Sequence, residues 1–226
     1  MPTTSYRKHR RSLLQAGFSL TLLGSAGLSG LIGRALAAGK APLKQGIYRY
    51  SGSLIVNGTA ASEGMRIQPG DTLVTGAASE AVYVIGRDAF LQRAQTSVSF
   101  GDSAAAGVLR VISGKLLSVF GKGERSIVTS TATIGIRGTG CYIEAEPKRV
   151  YFCLCYGEAE LVPTSAPSER ELIRTYHHDH PLYIYNDMKM PKMMVPADVI
   201  NHTDVELTLL ESLVGRLPPF DMGSAY

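Results

Sequence analysis

The feature that most constrains the fold is a series of short runs of β-branched and aromatic residues between Gly46 and Val162, most of them ended by a glycine-containing turn. Asn57-Gly58 is a strong hairpin turn, because both residues tolerate a positive φ. About ten short strands at this spacing predict an all-β roll or sandwich. Phe90–Arg93 fits less well and is predicted to be a short helical or bulged interruption. The later predicted strands include Val108–Ile112, Lys115–Phe120, Thr133–Ile136, Cys141–Ala145 and Val150–Tyr156.

The pattern changes after Pro163, where a turn-rich linker leads into a small C-terminal extension. Two further strands are predicted there, at Glu169–Tyr176 and Leu182–Tyr185. Thr203-Asp204-Val205-Glu206 then has the form of a capping box, which predicts the start of a helix. The apolar face of that helix is predicted from residues spaced by three or four positions, ending before Pro218-Pro219: Leu210, Leu213, Val214 and Leu217.

The first 38 residues have the three parts of an export signal. Arg10-Arg11 precedes an apolar, glycine-rich stretch, and small residues suited to cleavage follow at Ala35-Leu36-Ala37-Ala38. The paired arginines resemble those of a twin-arginine signal, a route that carries folded proteins, often with a metal or cofactor already bound. We therefore expect a periplasmic protein whose signal is cleaved. A retained single span is the alternative, and it would be the protein's only link to the membrane.

The charge of the chain depends on this leader. Its five basic residues are among the 23 of the whole chain, so 18 remain against 19 acidic residues, and the formal net charge of +4 disappears. The high isoelectric point is therefore no argument for a nucleic-acid partner. The predicted organisation is an export signal over residues 1–38, a β-domain over residues 44–162 and an extension over residues 163–226.

Several motifs of the β-domain resemble those of the FecR domain. The matching segments follow one another in the order of that family: Val56-Asn57-Gly58-Thr59-Ala60, Gly64 to Gly76 with Pro69-Gly70-Asp71 inside it, Ser79 to Val84, Gly114-Lys115-Leu116-Leu117, and Ala132 to Thr139 with Ile136-Arg137-Gly138-Thr139 at its end. The resemblance covers about half of the chain. It implies an extracytoplasmic all-β module, solenoid-like in places, of a kind linked to signal sensing across the cell envelope.

FecR-type regulators also carry a cytoplasmic region that binds a sigma factor, ahead of one membrane span. Only twelve residues precede Leu13, where the apolar stretch begins here. We therefore expect the domain without the signalling role, acting as a module that binds a small ligand or an envelope protein. Within it, Arg137 and Thr139 lie on a glycine-rich turn and are candidate ligand-binding residues, since an arginine there can clamp a carboxylate. A structural role for Arg137 is the alternative.

All three cysteines and three of the five histidines fall within forty residues. The candidate metal ligands are Cys141, Cys153, Cys155, His177, His178 and His180. Such a set suits zinc or an iron–sulfur cluster, and the cofactor is otherwise unknown. A disulfide from Cys141 and buried inert thiols are the alternatives. His202, near the helix start, is predicted to be incidental.

The register of two strands decides whether Cys141 joins the other thiols. Cys153 and Cys155 share one face of a strand because side chains alternate. If Ala145 pairs with Val150, Cys141 faces Leu154 and lies on the opposite face, whereas a shift of one residue brings all three thiols together. Known catalytic motifs are absent from the sequence, and thiols in the middle of an apolar strand are poor candidates for nucleophiles. We therefore expect a non-catalytic protein, with a metal- or cluster-binding redox protein as the alternative.

Overall fold

The computed structural model describes residues 45–101 and 107–220, where fourteen strands form one open sheet. The predicted all-β class is confirmed. The predicted export signal lies outside the described residues, as do the last six residues of the chain. The strands are β1 (Gly46–Ser51), β2 (Leu54–Val56), β3 (Thr59–Ala60), β4 (Thr72–Thr75), β5 (Glu80–Ile85), β6 (Asp88–Gln92), β7 (Ser97–Phe100), β8 (Val108–Val119), β9 (Glu124–Val128), β10 (Ala132–Ala145), β11 (Arg149–Pro163), β12 (Glu171–Thr175), β13 (Leu182–Tyr185) and β14 (Met194–Pro196).

Three long strands form the centre of this sheet. β10 pairs with β9 along its first half and with β8 along its second, while β11 pairs with β10 throughout, with β13 near its start and with β12 near its end. The sheet is antiparallel apart from the β8–β9 pair. Each long strand therefore passes from one set of neighbours to another, which bends the sheet around a core.

The sequence prediction divided two of these strands at glycines. Gly114 lies inside β8 with φ of 88°, and Gly138 lies inside β10 with φ of 55°. A glycine in the left-handed region lets the chain bend inside a strand. Gly114 keeps its pairing with Ala145, whereas at Gly138 the pairing with β11 shifts register and then resumes at Gly140, so each pair of predicted short strands is one long strand. The predicted interruption at Phe90–Arg93 was also wrong. β6 covers Asp88–Gln92, and the buried Gln92 side chain donates to the backbone oxygens of Leu73 and Thr96.

The buried apolar residues form two clusters, on opposite faces of the sheet. The larger one fills the interior between the bent halves and includes Leu116, Ile134, Ile143 and Leu154. The smaller one lies on the outer face and includes Leu117, Tyr142, Cys153 and Cys155. Leu207, Leu210, Val214 and Phe220 belong to this second cluster, so the described part of the extension is packed on the sheet.

Helix α1 (Asp204–Leu213) is the cover of the outer face. The predicted capping box is confirmed: Thr203 accepts from the Glu206 amide, and the Glu206 side chain accepts from the Thr203 amide. Leu207 and Leu210 face the sheet, but Leu217 is 80% exposed and lies beyond the helix, so the predicted apolar face was wrong at that position. Within the described residues, none of the helices has the length and apolar content that a membrane crossing requires.

Two glycine-to-alanine substitutions compare the effect on stability at the bend of β8 with the effect at an unbent strand position. A Cβ at Gly114 would lie 2.3 Å from Thr96 Oγ1 and 2.5 Å from its Cα, at a positive φ, whereas a Cβ at Gly135 meets nothing closer than 4.0 Å. We expect Gly114→Ala to lower the free energy of unfolding by more than about 2 kcal/mol. Gly135→Ala, at an ordinary strand position, should leave it unchanged or raise it by about 0.5–1 kcal/mol. Urea titration followed by circular dichroism measures both, and equal effects would contradict the bend.

Candidate metal centre

The β10–β11 register separates the three cysteines. Ala145 pairs with Val150, so Cys141 lies opposite Leu154 and Tyr142 lies opposite Cys153. Directly opposed residues share a face. Cys141 therefore points into the interior cluster, while Cys153 and Cys155 point to the outer face beneath α1. This placement corrects the ligand set that included Cys141, and it rules out a disulfide from Cys141 to either partner in this fold, since the side chains diverge.

Two histidines complete a cluster around the outer thiols. One ligand atom from each of Cys153, Cys155, His178 and His202 lies within 4.8 Å of all the others, and all four residues are buried. Cys153 Sγ is 3.4 Å from His178 Nδ1, which is 3.0 Å from His202 Nε2. Bonds of about 2.0–2.3 Å from one tetrahedral ion place neighbouring ligand atoms about 3.3–3.8 Å apart. The observed spacing is close to that range, so the four atoms can surround a single ion after small adjustments.

Both histidines bind a second partner through the nitrogen that faces away from the thiols. His202 Nδ1 is 2.7 Å from the Ile200 carbonyl oxygen, an acceptor that requires a proton on that nitrogen. His178 Nε2 is 3.2 Å from Asp204 Oδ1. These contacts leave His202 Nε2 and His178 Nδ1 to offer lone pairs to the centre. Metal-bound histidines characteristically have such a carboxylate or carbonyl partner.

The turn that carries the His177-His178-Asp179-His180 sequence is compact. Asp179 Oδ2 accepts from the amides of Tyr176 and His177, His178 has φ of 54°, and its amide donates to the Cys155 carbonyl. In the extended chain of the prediction, His178 and His180 would share a face. In the turn, His177 and His178 both reach Asp204, at 3.0 Å and 3.2 Å. His180 is exposed and lies outside the cluster.

The start of α1 supplies the ligand that sequence reasoning missed. His202 precedes the N-cap Thr203, stacks on Tyr142 with ring centroids 4.6 Å apart, and is 8% exposed. Asp204 is the first residue of the helix and lies beside two imidazoles. The capping box holds both neighbours in place. The signal for His202 was its position beside this cap, which fixes the local backbone, but no pattern in the sequence indicates that the cap packs over β11.

The contacts within the cluster shift the pKa values of Cys153 and His178 in opposite directions. The pKa of Cys153 falls to about 4, because the contacts with Cys155, His178 and His202 outweigh the opposing effect of burial. Burial raises the pKa of Cys155 well above its usual value. Burial lowers the pKa of His178, but the Cys153 thiol and Asp204 outweigh it, so the net shift is upward. Both shifts act in favour of the Cys153 thiolate and the protonated His178 ring, and a cation at the centre would take the place of that proton.

The structure does not bring together the other predicted pair, Arg137 and Thr139. Arg137 is exposed and forms an ion pair with the exposed Glu124 across the β9–β10 pair. Thr139 is fully buried beneath Gly157. A Cβ added at Gly157 would lie 2.6 Å from the methyl carbon of Thr139. Arg137 therefore has a partner on the sheet surface, which fits the structural alternative, and the two side chains do not form one ligand site.

The chemistry open to the cluster is limited by its burial. Cys153, His178 and Asp204 follow one another as do the nucleophile, base and orienting acid of a cysteine hydrolase. However, Cys153 is 0% exposed and His178 is 4% exposed, so a substrate has no approach to the sulfur. Four nitrogen and sulfur ligands in a closed pocket are instead typical of a structural zinc site.

Comparison with known proteins adds little to this description. No protein-family model matches the sequence, and neither does any curated protein. Two crystal structures of a candidate anti-sigma factor from Parabacteroides distasonis ATCC 8503 resemble the fold, each with 10% identity and a TM-score of 0.45. Each match covers 56% of this chain and 59% of the solved chain, so the chain spans less than two thirds of their length. The chain is therefore classed as a β-rich protein with an open sheet, and its resemblance to the FecR domain stays a prediction.

Removing the cap of α1 tests how firmly the helix start is held. We expect Thr203→Ala to lower the free energy of unfolding by about 1 kcal/mol. The Glu206 amide loses its acceptor, and the Glu206 carboxylate loses the Thr203 hydroxyl as a donor. Val205→Ala, at a helix position that is 40% exposed, is the matched control and should change it by less than about 0.5 kcal/mol. Chemical denaturation of both variants measures the difference, and an unaltered Thr203→Ala protein would show that the cap is unimportant.

Proposed function

We propose that this chain is an exported, non-catalytic β-rich module that holds one zinc ion between Cys153, Cys155, His178 and His202. The observation that carries the proposal is the convergence of these four buried ligand atoms within 4.8 Å of one another. The outer contacts of the two histidines support it, because they select the tautomers that a metal ion requires. The donor set of two thiolates and two imidazoles is one that zinc commonly takes.

A single ion fits this geometry better than the iron–sulfur cluster considered from the sequence. In a two-iron cluster of mixed ligation, the cysteine pair binds one iron and the histidine pair binds the other. The two pairs are then separated by the width of the cluster. Here Cys153 Sγ and His178 Nδ1 are 3.4 Å apart, in direct contact. That distance supports a mononuclear site.

The role that follows for the ion is to join distant parts of the chain. Its ligands come from β11, from the turn after β12 and from the residue before the N-cap of α1. Because a metal binds these ligands only when they are assembled, its binding free energy becomes folding free energy. The ion would hold the helix and the turn against the outer face of the sheet.

Export and envelope location belong to the same proposal. The leader has the composition of a twin-arginine signal, and that route suits a protein that acquires its metal before it crosses the membrane. In the periplasm, a bound ion would also protect Cys153 and Cys155 from oxidation, because a coordinated thiolate is less available to oxidants. The FecR resemblance supports a function as a module that binds a small ligand or an envelope protein.

The first experiment measures metal content in protein purified after native export. We expect about one zinc per chain, since the site has a single set of four ligands. Cys153→Ser should lose the ion, whereas Cys141→Ser is the matched control and should retain it, because Cys141 lies in the interior on the other face. Metal-free wild-type protein with a free Cys153 thiol would refute the zinc site. Equal loss in both variants would show that folding, not ligation, controls the metal content.

The second experiment compares two histidines that the sequence ranked in the wrong order. His202→Gln should weaken zinc binding by at least about tenfold, because a ligand is lost. His180→Gln should leave the affinity unchanged, since His180 is exposed and outside the cluster. Competition with a chromophoric chelator gives both constants. If His180→Gln were the damaging change, the arrangement of the turn would be wrong.

A further inference from the structure

A second site lies away from the thiols, at the other end of α1. A cavity of about 400 Å³, partly open to solvent, is bordered by the end of β8, the bend of β10 and β11, the end of β12 and the segment that follows the helix. This volume is within the range of pockets that take small organic molecules. The metal ligands do not line it, so the two sites share no side chain.

Basic side chains dominate the charge of this cavity. Arg87 and Lys122 are exposed at its edge, and Arg216 lies on its wall. The acidic residue there, Glu211, is 2% exposed and already engaged: it accepts from the Tyr156 hydroxyl and from Arg216 Nε. With this carboxylate committed, the excess charge at the cavity is positive, which favours an anion.

Two polar groups of the lining residues lack a partner. Arg216 donates through Nε to Glu211 and through Nη1 to the Arg87 carbonyl, but its Nη2 is buried without a hydrogen bond. Thr175 is 6% exposed, and its hydroxyl is also buried without one. An unsatisfied buried group is costly, and such exceptions in a folded protein require an explanation. Neither atom is open to the cavity, so a ligand acceptor reaches it only after a small shift of the side chains around it.

The remaining wall is apolar and unusually exposed. Tyr176 is 64% exposed and Leu217 is 80% exposed, and both border the cavity together with Phe120 and Pro219. Tyr176 is held in this position because its hydroxyl donates to the Pro219 carbonyl. An ordered apolar surface next to a cluster of cations suits a molecule with an anionic head and an apolar body.

We propose that this cavity binds a small organic anion. Its carboxylate or phosphate group lies against the exposed Arg87 and Lys122, where the Arg87 guanidinium can pair with it in bidentate fashion, and near the remaining Nη2 of Arg216. Its apolar body lies on Tyr176 and Leu217. Nothing in the FecR resemblance assigns this cavity, since the predicted pair Arg137 and Thr139 does not line it.

Calorimetric titration of the full exported chain with three matched compounds tests the site. Benzoate and phenyl phosphate carry the anionic head, and benzyl alcohol is the neutral control. We expect saturable binding of at least one anion with a dissociation constant below about 1 mM, and at least tenfold weaker binding of the alcohol. Preference between the two anions identifies the head group. Equal binding of the alcohol, or no saturation by either anion up to about 10 mM, would overturn the proposal.

Variants locate the site without disturbing the metal. Lys122→Ala and Arg87→Ala should each weaken anion binding about fivefold to tenfold, because each removes one charge from an exposed position. Thr175→Val, which keeps the shape and removes the unpartnered hydroxyl, should weaken binding and leave the stability unchanged or raised. Arg110→Ala, an exposed arginine on β8 that does not line the cavity, is the control and should bind normally. Zinc content measured on the same samples separates a failure here from a failure of the metal site, and an equal loss in Arg110→Ala would show nonspecific attraction.

Discussion

The register of the β10–β11 hairpin is the constraint on which the rest of the structure depends. The chain turns between Ala145 and Val150, and the Glu146 amide donates to the Arg149 carbonyl to close that turn. Because side chains alternate along a strand, a slip of one residue would exchange every interior and exterior position of the two longest strands. The observed register puts Cys141 with the interior apolar cluster and leaves Cys153 and Cys155 to the outer face.

The outer face then needs a cover that can satisfy polar groups. Two thiols and two imidazoles lie there with very little exposure, beside the Asp204 carboxylate. Burying such groups without partners is costly, and each contact in the cluster reduces that cost only in part. An ion at the centre would satisfy all four ligand atoms together. The same ion would explain why the region from the turn after β12 to α1 folds back over the sheet.

The sequence predicted what depends on neighbouring residues and failed where distant ones meet. Asn57-Gly58 marked its turn and Thr203 to Glu206 marked the helix start, because both are local patterns. The long strands were divided because Gly114 and Gly138 look like strand ends, while in the structure they are bends. His202 was ranked as incidental because its partner Cys153 is 49 residues away along the chain. No periodicity of either segment indicates that α1 lies over β11. The face that Cys141 occupies depends on the register of the β10–β11 turn, and the sequence of that turn allows two registers.

Helix α1 connects the two candidate sites. Its first residue, Asp204, binds His177 and His178, while Glu211 near its last turn binds Tyr156 and Arg216 at the cavity. A helix of ten residues is about 15 Å long and is held together by its own backbone hydrogen bonds. An ion at the proposed site would fix the start of this helix and, through the helix, the position of Glu211 and of the guanidinium group that borders the cavity. Loss of the ion would release both ends, so we expect anion binding to depend on a metal site whose ligands do not touch the anion.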